Sequence, residues 1–321
     1  MRPAVICLMG PTASGKTDLA IALAEQIKGE LISVDSALVY RGLDIGSAKP
    51  TYPHHLINLR DPAEPYNVAD FVRDADQIIA DIIARGATPI LVGGTMMYFK
   101  AFLEGLSPMP SSDPRVRQQI EEEARVKGWP ALHEALGVVD PIAAAAIHPQ
   151  HSSRITRALE VFRASGTPLS DWQREVDPRT PPSQLYRIIQ FALAPERREV
   201  LHHRIALRFE QMLRAGLIDE VRSLRSRPDL HPDLPAIRAV GYRQVWGYLN
   251  GEYDIERCES LAVAATRQLA KRQLTWLRKW PDLEWLLTDE DGNLAQKSVS
   301  HQYGAEKKPL EHLLNCIGSP P

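Results

Sequence analysis

The sequence predicts an α/β fold: a P-loop NTPase-like parallel sheet core with an inserted small all-helical domain. Three observations predict it. Gly10, Pro11, Thr12, Ala13, Ser14, Gly15, Lys16 and Thr17 fit G-x-x-x-x-G-K-[ST] at every specified position. Short apolar runs alternate with helix-period segments before and after this loop, the order that builds a parallel sheet with crossovers. A stretch bounded by prolines, from 113 to 182, then shows helix patterns with no strand between them.

The elements follow in order. Ala4-Val5-Ile6-Cys7-Leu8-Met9 is apolar throughout, enough for one buried strand. Residues 18–27 read as a helix, with Leu19, Leu23 and Ile27 on one face. Strand, glycine loop and helix start together make a phosphate cradle, because loop amides and the helix N-terminus aim positive dipoles at an anion. A chance match in a glycine turn lacks those flanks. Residues 30–34 form a second strand ending at Asp35, and 36–50 suit a site loop or a short helix with turns. Residues 66–85 read as a helix stopped by Gly86, and 88–92 as a third strand ending at Gly93-Gly94-Thr95. Ligands bind at the carboxyl ends of such strands, so Asp35, Thr95 and the P-loop should converge.

Pro108, Pro110 and Pro114 mark the change of pattern, and Pro178, Pro181 and Pro182 close it. Short helices are expected at 115–127, 130–136, 141–147 and 152–164. A returning strand at 186–193 precedes one long helix, 196–225, with Gly216 as a weak point. A proline loop and a helix at 255–278 complete the core. The predicted division is 1–112 with 183–290 for the core, 113–182 for the insertion, and 291–321 for a polar, mobile tail.

Composition narrows the class. Apolar residues make up 44% of 321 and charged residues 24%, ordinary for a globular protein. A net charge of −2 requires any nucleic-acid contact to come from local basic patches. Cys7, Cys258 and Cys316 are scattered without C-x-x-C spacing, which argues against a disulfide framework and against zinc. No run approaches the ~18 apolar residues of a membrane span, and the apolar start is too short for a signal peptide. The expected setting is a reducing cytoplasm.

Within the cradle, Lys16 would reach the outer phosphates and Thr17 would hold Mg²⁺ through its hydroxyl. Asp35 reads equally as an acid holding Mg²⁺ through water or as a base for an incoming nucleophile. Ser33 and Ser36 flank it with hydroxyls. Arg204 and Arg208 share a helix face, either a solvated basic face or a lid over a pyrophosphate. Residues 261–281 hold Arg267, Lys271, Arg272, Arg278 and Lys279 with no acid, interleaved with Trp276 and Trp280. That pattern suits RNA, phosphates meeting cations and bases meeting aromatics. The same helix would bury Leu269, Trp276 and Leu277. His54-His55 and His202-His203 lack companions for zinc and read as polar loop and helix residues. A missing [NT]-K-x-D motif counts against a GTPase.

Taken together, the P-loop, Ser33–Tyr40, Asp44-Ile-Gly-Ser-Ala-Lys-Pro50, Leu91-Val-Gly-Gly-Thr-Met96, Arg157-Ala-Leu-Glu-Val161, Gly241-Tyr-Arg-Gln244 and Lys271-Arg-Gln-Leu-Thr-Trp-Leu-Arg278 resemble the bacterial tRNA dimethylallyltransferases over residues 4–280. Two departures stand out. Only Thr51-Tyr-Pro53 separates Pro50 from His54, a shortened connection, and Ser47 replaces the usual Thr. The resemblance implies transfer of a dimethylallyl group from dimethylallyl diphosphate to N6 of the adenosine immediately 3′ of the anticodon. It implies that the P-loop grips the pyrophosphate of the prenyl donor, with Lys16 and Arg208 stabilising it, Mg²⁺ near Thr17, and Asp35 as the base.

It further implies RNA contacts from Asp35, Ser36, Ala37, Leu38 and Thr95. In the insertion these would be Arg117, Ser153, Arg154, Ile155, Thr156 and Arg157, reaching the anticodon arm. Elsewhere they would be Arg238, Ala239, Val240, Gly241, Tyr242, Arg243, and Lys271, Arg272, Gln273, Leu274, Thr275, Trp276, Leu277, Arg278. Only part of each span is expected to touch RNA, apolar members such as Ile155 and Leu274 being buried. The expected enzyme is a cytoplasmic monomer. The alternatives are a P-loop kinase of a small molecule or nucleotide, and an RNA-binding module with a structural P-loop. The basic tryptophan helix disfavours the first, and an intact Lys16, Thr17 and Asp35 the second.

Overall fold

The computed structural model describes residues 2–175, 177, 179–295 and 308–318. Its chain runs β1 (Ala4–Met9), α1 (Lys16–Ile27), β2 (Gly29–Val34), β3 (His54–His55), α2 (Val68–Ala84), β4 (Thr88–Gly93) and α3 (Met96–Glu104). Then come α4 (Pro114–Lys127), α5 (Trp129–Val139), α6 (Pro141–Ala146), α7 (Ser152–Ser165) and α8 (Leu169–Trp172). The remainder is α9 (Pro182–Leu185), β5 (Arg187–Pro195), α10 (Arg198–Arg214), α11 (Leu217–Arg225), α12 (Tyr242–Leu249), α13 (Ile255–Leu277), β6 (Glu284–Thr288) and α14 (Pro309–Gly318).

Six strands form one sheet in the order β3-β2-β4-β1-β5-β6, every ladder parallel. β1 and β4 lie in its middle and are buried along nearly their whole length, which is why they read as unbroken apolar runs. Ile6, Leu8, Leu23, Leu31, Ile90, Phe191 and Leu193 join one core between sheet and helices. α2 begins at a capping box, in which the Asn67 side chain accepts from Ala69 and Asp70 while Asp70 reaches back to the Asn67 amide.

The chain divides into two compact units, Met1–Leu103 with Pro182–Pro321, and Glu104–Pro181. The helical unit starts before the expected 113 because its leading segment is tied to it. Asp177 accepts from Leu106 N–H at 2.7 Å, Glu160 accepts from the Ser112 hydroxyl and the Asp113 amide, and Arg157 donates to Pro110 O at 2.7 Å. The unit has its own core, with Ile120, Leu132, Leu136, Ile155, Leu159 and Val161.

Several elements depart from the sequence expectation. The expected 196–225 helix is two helices, broken at Gly216 with φ 101°. His54-His55, expected in a loop, is the short edge strand β3, paired with Leu31 and Ile32. β6 and α12 were not anticipated. The expected mobile tail contains α14, whose Leu313 is fully buried and whose Leu310, Leu314 and Ile317 pack on the core. Those four apolar residues make one helical stripe, masked in the sequence by the polar run before it. The tail's residues 296–307 and 319–321 lie outside the described residues.

Candidate active site

The P-loop leaves β1 between two parallel neighbours, β4 and β5. Its first glycine has no room for a side chain, since a Cβ at Gly10 would stand 2.5 Å from Leu193 O. Gly15, at φ 88°, turns the loop into α1. No side chain caps that helix start, so its amides stay available to an anion. Lys16 arches back over the loop and donates to Pro11 O at 3.1 Å. Burial, and next the Arg208 guanidinium, press its ammonium down to about 8, while Asp35 pulls upward. Arg208 comes from α10, donates to Ser47 O at 3.4 Å, and is itself pushed down by burial, with Asp35 and then Asp18 opposing. Two cations and one carboxylate thus feel one another at the loop, an excess of positive charge suited to a polyanion.

Asp35 ends β2 in an Asx turn. Its Oδ1 accepts from the Ala37 amide at 2.8 Å and the Leu38 amide at 3.3 Å. Its Oδ2 makes no hydrogen bond among the described residues. Thr95, after β4, accepts from Ser36 N–H at 3.2 Å and donates its own amide to Val34 O at 3.2 Å. A cavity of about 540 Å³ joins these parts, lined by Lys16, Thr17, Asp35, Thr95 and Arg208. Met96, Met97, Ile205, Phe209, Leu269 and Trp276 from α3, α10 and α13 form an apolar wall, and Arg238, Arg272 and Gln273 add a polar one. A second cavity, about 890 Å³, shares Lys16, Thr17 and Arg208 and carries Arg204 and Tyr52. The Ser14 and Ser33 hydroxyls are buried without a hydrogen-bond partner among the described residues and line the second and the first cavity respectively.

Thr17, Ser33 and Asp35 bring only oxygen donors to the first cavity, which fits a hard cation such as Mg²⁺. The other trio of metal-ligand types, Glu284, His312 and Cys316, lies on β6 and α14. There Glu284 and His312 stand 2.5 Å apart, a hydrogen bond, whereas two ligands of one tetrahedral zinc stand about 3.3 Å apart.

A family profile described as IPP transferase matches residues 38–280, and one described as isopentenyl transferase matches residues 3–60. The chain belongs to the IPP transferase family. The full-length tRNA isopentenylpyrophosphate transferase of Bacillus halodurans is 36% identical, with 98% of this chain and 96% of that chain covered and a TM-score of 0.67. For the tRNA delta(2)-isopentenylpyrophosphate transferase of Staphylococcus epidermidis the figures are 30%, 98%, 99% and 0.65. A eukaryotic dimethylallyltransferase caught acting on tRNA is 25% identical, with 99% and 80% covered and a TM-score of 0.79.

In this IPP transferase the residues expected at RNA separate by exposure. Arg238, Arg243, Lys271, Arg272, Thr275 and Arg278 are exposed, as are Ser153 and Arg154 of the helical unit. Trp276 is 38% exposed, not core as the amphipathic pattern suggested, and Lys100 sits 6.0 Å from its ring centroid. Ile155, Thr156, Gly241, Tyr242, Gln273 and Leu277 are buried; Leu274, expected buried, is partly exposed. Arg117 and Arg157 pair with the fully buried Glu160 at 3.4 and 3.2 Å, so their guanidinium groups hold an internal charge. Ser112 and those arginines keep the Glu160 carboxyl low against the upward push of its burial.

Sequence reasoning missed one support of the site, Glu220, and expected another, Gln273, at RNA. Glu220 on α11 accepts from the amides of Asp44, Ile45 and Gly46 and from the Tyr242 hydroxyl, fixing the loop that carries Ser47. Gln273 joins the P-loop to the β4 loop. Neither has a local signature, because the partners lie on distant segments.

Proposed function

We propose that this IPP transferase family member transfers a dimethylallyl group from dimethylallyl diphosphate to N6 of the adenosine immediately 3′ of a tRNA anticodon, releasing diphosphate. One observation carries the assignment of roles. An uncapped P-loop with two cations and a carboxylate with a free oxygen share one cavity with an apolar wall of Met96, Met97, Ile205, Phe209, Leu269 and Trp276. A nucleotide kinase needs the cradle, but not the apolar wall beside it.

The adenosine leaves its stack to reach the cavity, a cost of about a few kcal/mol and least in an unpaired loop. Trp276 and Met97, both partly exposed at the cavity, offer surfaces for a base. The prenyl chain meets Ile205, Phe209 and Leu269. As the N6–C1 bond forms, the C1–O bond to diphosphate breaks, and the N6 proton passes to Asp35 Oδ2. Charge developing on the leaving diphosphate is met by the P-loop amides, Lys16 and Arg208, donors already in place before the reaction. Mg²⁺, held by Thr17 with Ser33 or Asp35 nearby, would add positive charge at the diphosphate when bound.

The test is incubation with unmodified tRNA and dimethylallyl diphosphate, followed by nucleoside mass analysis. The expected product is N6-dimethylallyladenosine. Transfer of the ATP γ-phosphate with no prenylated nucleoside would overturn the reading.

A further inference from the structure

We propose that Gln273 is a positioning residue that couples RNA binding on α13 to diphosphate binding in the P-loop. The proposal rests on the prenyl-transfer reading above. Gln273 lies between Arg272 and Leu274 on the basic helix, yet it is only 8% exposed and faces inward. Its Oε1 accepts from the Thr12 amide at 3.0 Å, and its Nε2 donates to Gly94 O at 2.9 Å. The orientation is dictated by the partners, since the Thr12 amide can only donate and the Gly94 carbonyl can only accept. A single carboxamide therefore fastens the P-loop, the β4 loop and α13 together.

The approach is close. A Cβ on Gly94 would clash with Gln273 Nε2 and stand 3.2 Å from Gly10 O, so only glycine lets the three segments meet here. From Gly94 the contacts continue. Thr95 receives the Ser36 amide, and Ser36 directly follows Asp35, whose turn is closed by the Ala37 and Leu38 amides. One end of the amide thus reaches the diphosphate cradle, and the other reaches the loop that presents the base. On the same helix Lys271 and Arg272 are exposed, as is Arg278 at its C-terminal cap.

Helix and loops then have one shared arrangement. RNA phosphates that draw α13 into that arrangement prepay the ordering of Thr12 and Gly94 for the diphosphate. By linkage, the diphosphate returns the same factor to the RNA. Arg272, next to Gln273, and Trp276, three residues after it, both line the cavity and give the RNA its hold on this segment. A buried amide that merely staples helix to sheet would affect each ligand separately and leave their mutual effect unchanged.

The experiment measures the affinity for inorganic pyrophosphate, with Mg²⁺, in the absence and presence of an unmodified anticodon stem-loop RNA. The wild type is expected to bind pyrophosphate about tenfold more tightly with the RNA present. In Gln273→Met, of similar length but without either hydrogen bond, each ligand still binds and the ratio falls to about one. Gln273→Glu keeps the acceptor for Thr12 and loses the donor to Gly94; it reads the same ratio should the Met variant not fold, and the ratio is again expected to fall. A ratio of one in the wild type, or a wild-type ratio in the variants, overturns this proposal alone. A wild type that binds pyrophosphate and not the RNA overturns the RNA reading and this proposal with it.

Discussion

Lys16 must be charged to hold a diphosphate, yet burial and Arg208 press its ammonium down to about 8. The consequence is a pH limb. kcat/KM for a prenyl diphosphate should fall above about 8, approaching tenfold per pH unit, because the free enzyme loses the proton it needs. Lys16→Arg should move that limb upward, since guanidinium stays charged; an unmoved limb would assign it to another group. Stability has the opposite slope. Between about 8 and the ordinary 10.5 the unfolded chain binds more protons at Lys16, so ligand-free stability gains from rising pH there, and Lys16→Met removes the gain. Asp35 permits a cleaner substitution. Asn keeps an oxygen for the Ala37 and Leu38 amides, so Asp35→Asn preserves the turn while removing the proposed base and its charge. Turnover should drop about 10²–10⁴-fold with stem-loop binding unchanged. Near-normal turnover removes Asp35 from proton transfer. These residues were legible in the sequence because a motif or a strand end marks them. Glu220 was not, and Gln273 was expected only as an RNA contact, since Glu220 meets Ile45 across 175 residues and Gln273 meets Thr12 across 261. Contacts at such separation leave no local periodicity.

Among the elements, legibility followed burial. β1 and β4 are covered on both faces and spell continuous apolar runs, whereas β3 is two histidines and β6 reads Glu-Trp-Leu-Leu-Thr beside polar neighbours. The break between α10 and α11 was foreshadowed by Gly216, but composition could not say that its left-handed φ ends one helix and starts the next. α13 shows how one helix serves two purposes. Its Leu269, Gln273 and Trp276 line the cavity, while Arg267, Lys271 and Arg278 line a groove against Arg198 and Leu201 of α10. Arg198 and Arg267 also hold the nearby His202 low, after its burial, a mark of concentrated positive charge. Removing Lys271 and Arg272 together should weaken RNA binding and reduce the slope of log affinity against log salt by about 1.4, two phosphate contacts to an unpaired strand. An unchanged slope places the phosphates elsewhere. The loop before β3 depends on α11 in the same way. Glu220→Ala strips the acceptor from three amides and a phenol, so the KM for the prenyl diphosphate should rise severalfold through the loosened Ser47–Arg208 contact. A normal KM would show that the loop holds itself.

For the whole molecule, the C-terminal helix matters more than its sequence setting suggests. The stretch after 290 is polar and was expected to be a tail, because a stripe of Leu310, Leu313, Leu314 and Ile317 is too short to stand out. In the fold that stripe packs on the same core as Leu23, Ile6 and Phe191, so α14 covers α1, the helix that begins at the P-loop. Lys308 and Leu310 line the second cavity beside Lys16 and Arg208. Stability and substrate binding should therefore fail together when α14 is removed. Truncation after Ala295 removes Leu313 and its apolar neighbours and uncovers the core face they pack on, a loss of about 3–6 kcal/mol at the usual worth of buried leucines. The measurement is a urea midpoint alongside the KM for the prenyl diphosphate. Both should worsen, and Leu313→Ala alone should cost about 2–5 kcal/mol while leaving the cavity residues in place. A truncated protein with the full-length midpoint would mean that α14 rests on the core without supporting it, and that the second cavity works without its C-terminal wall.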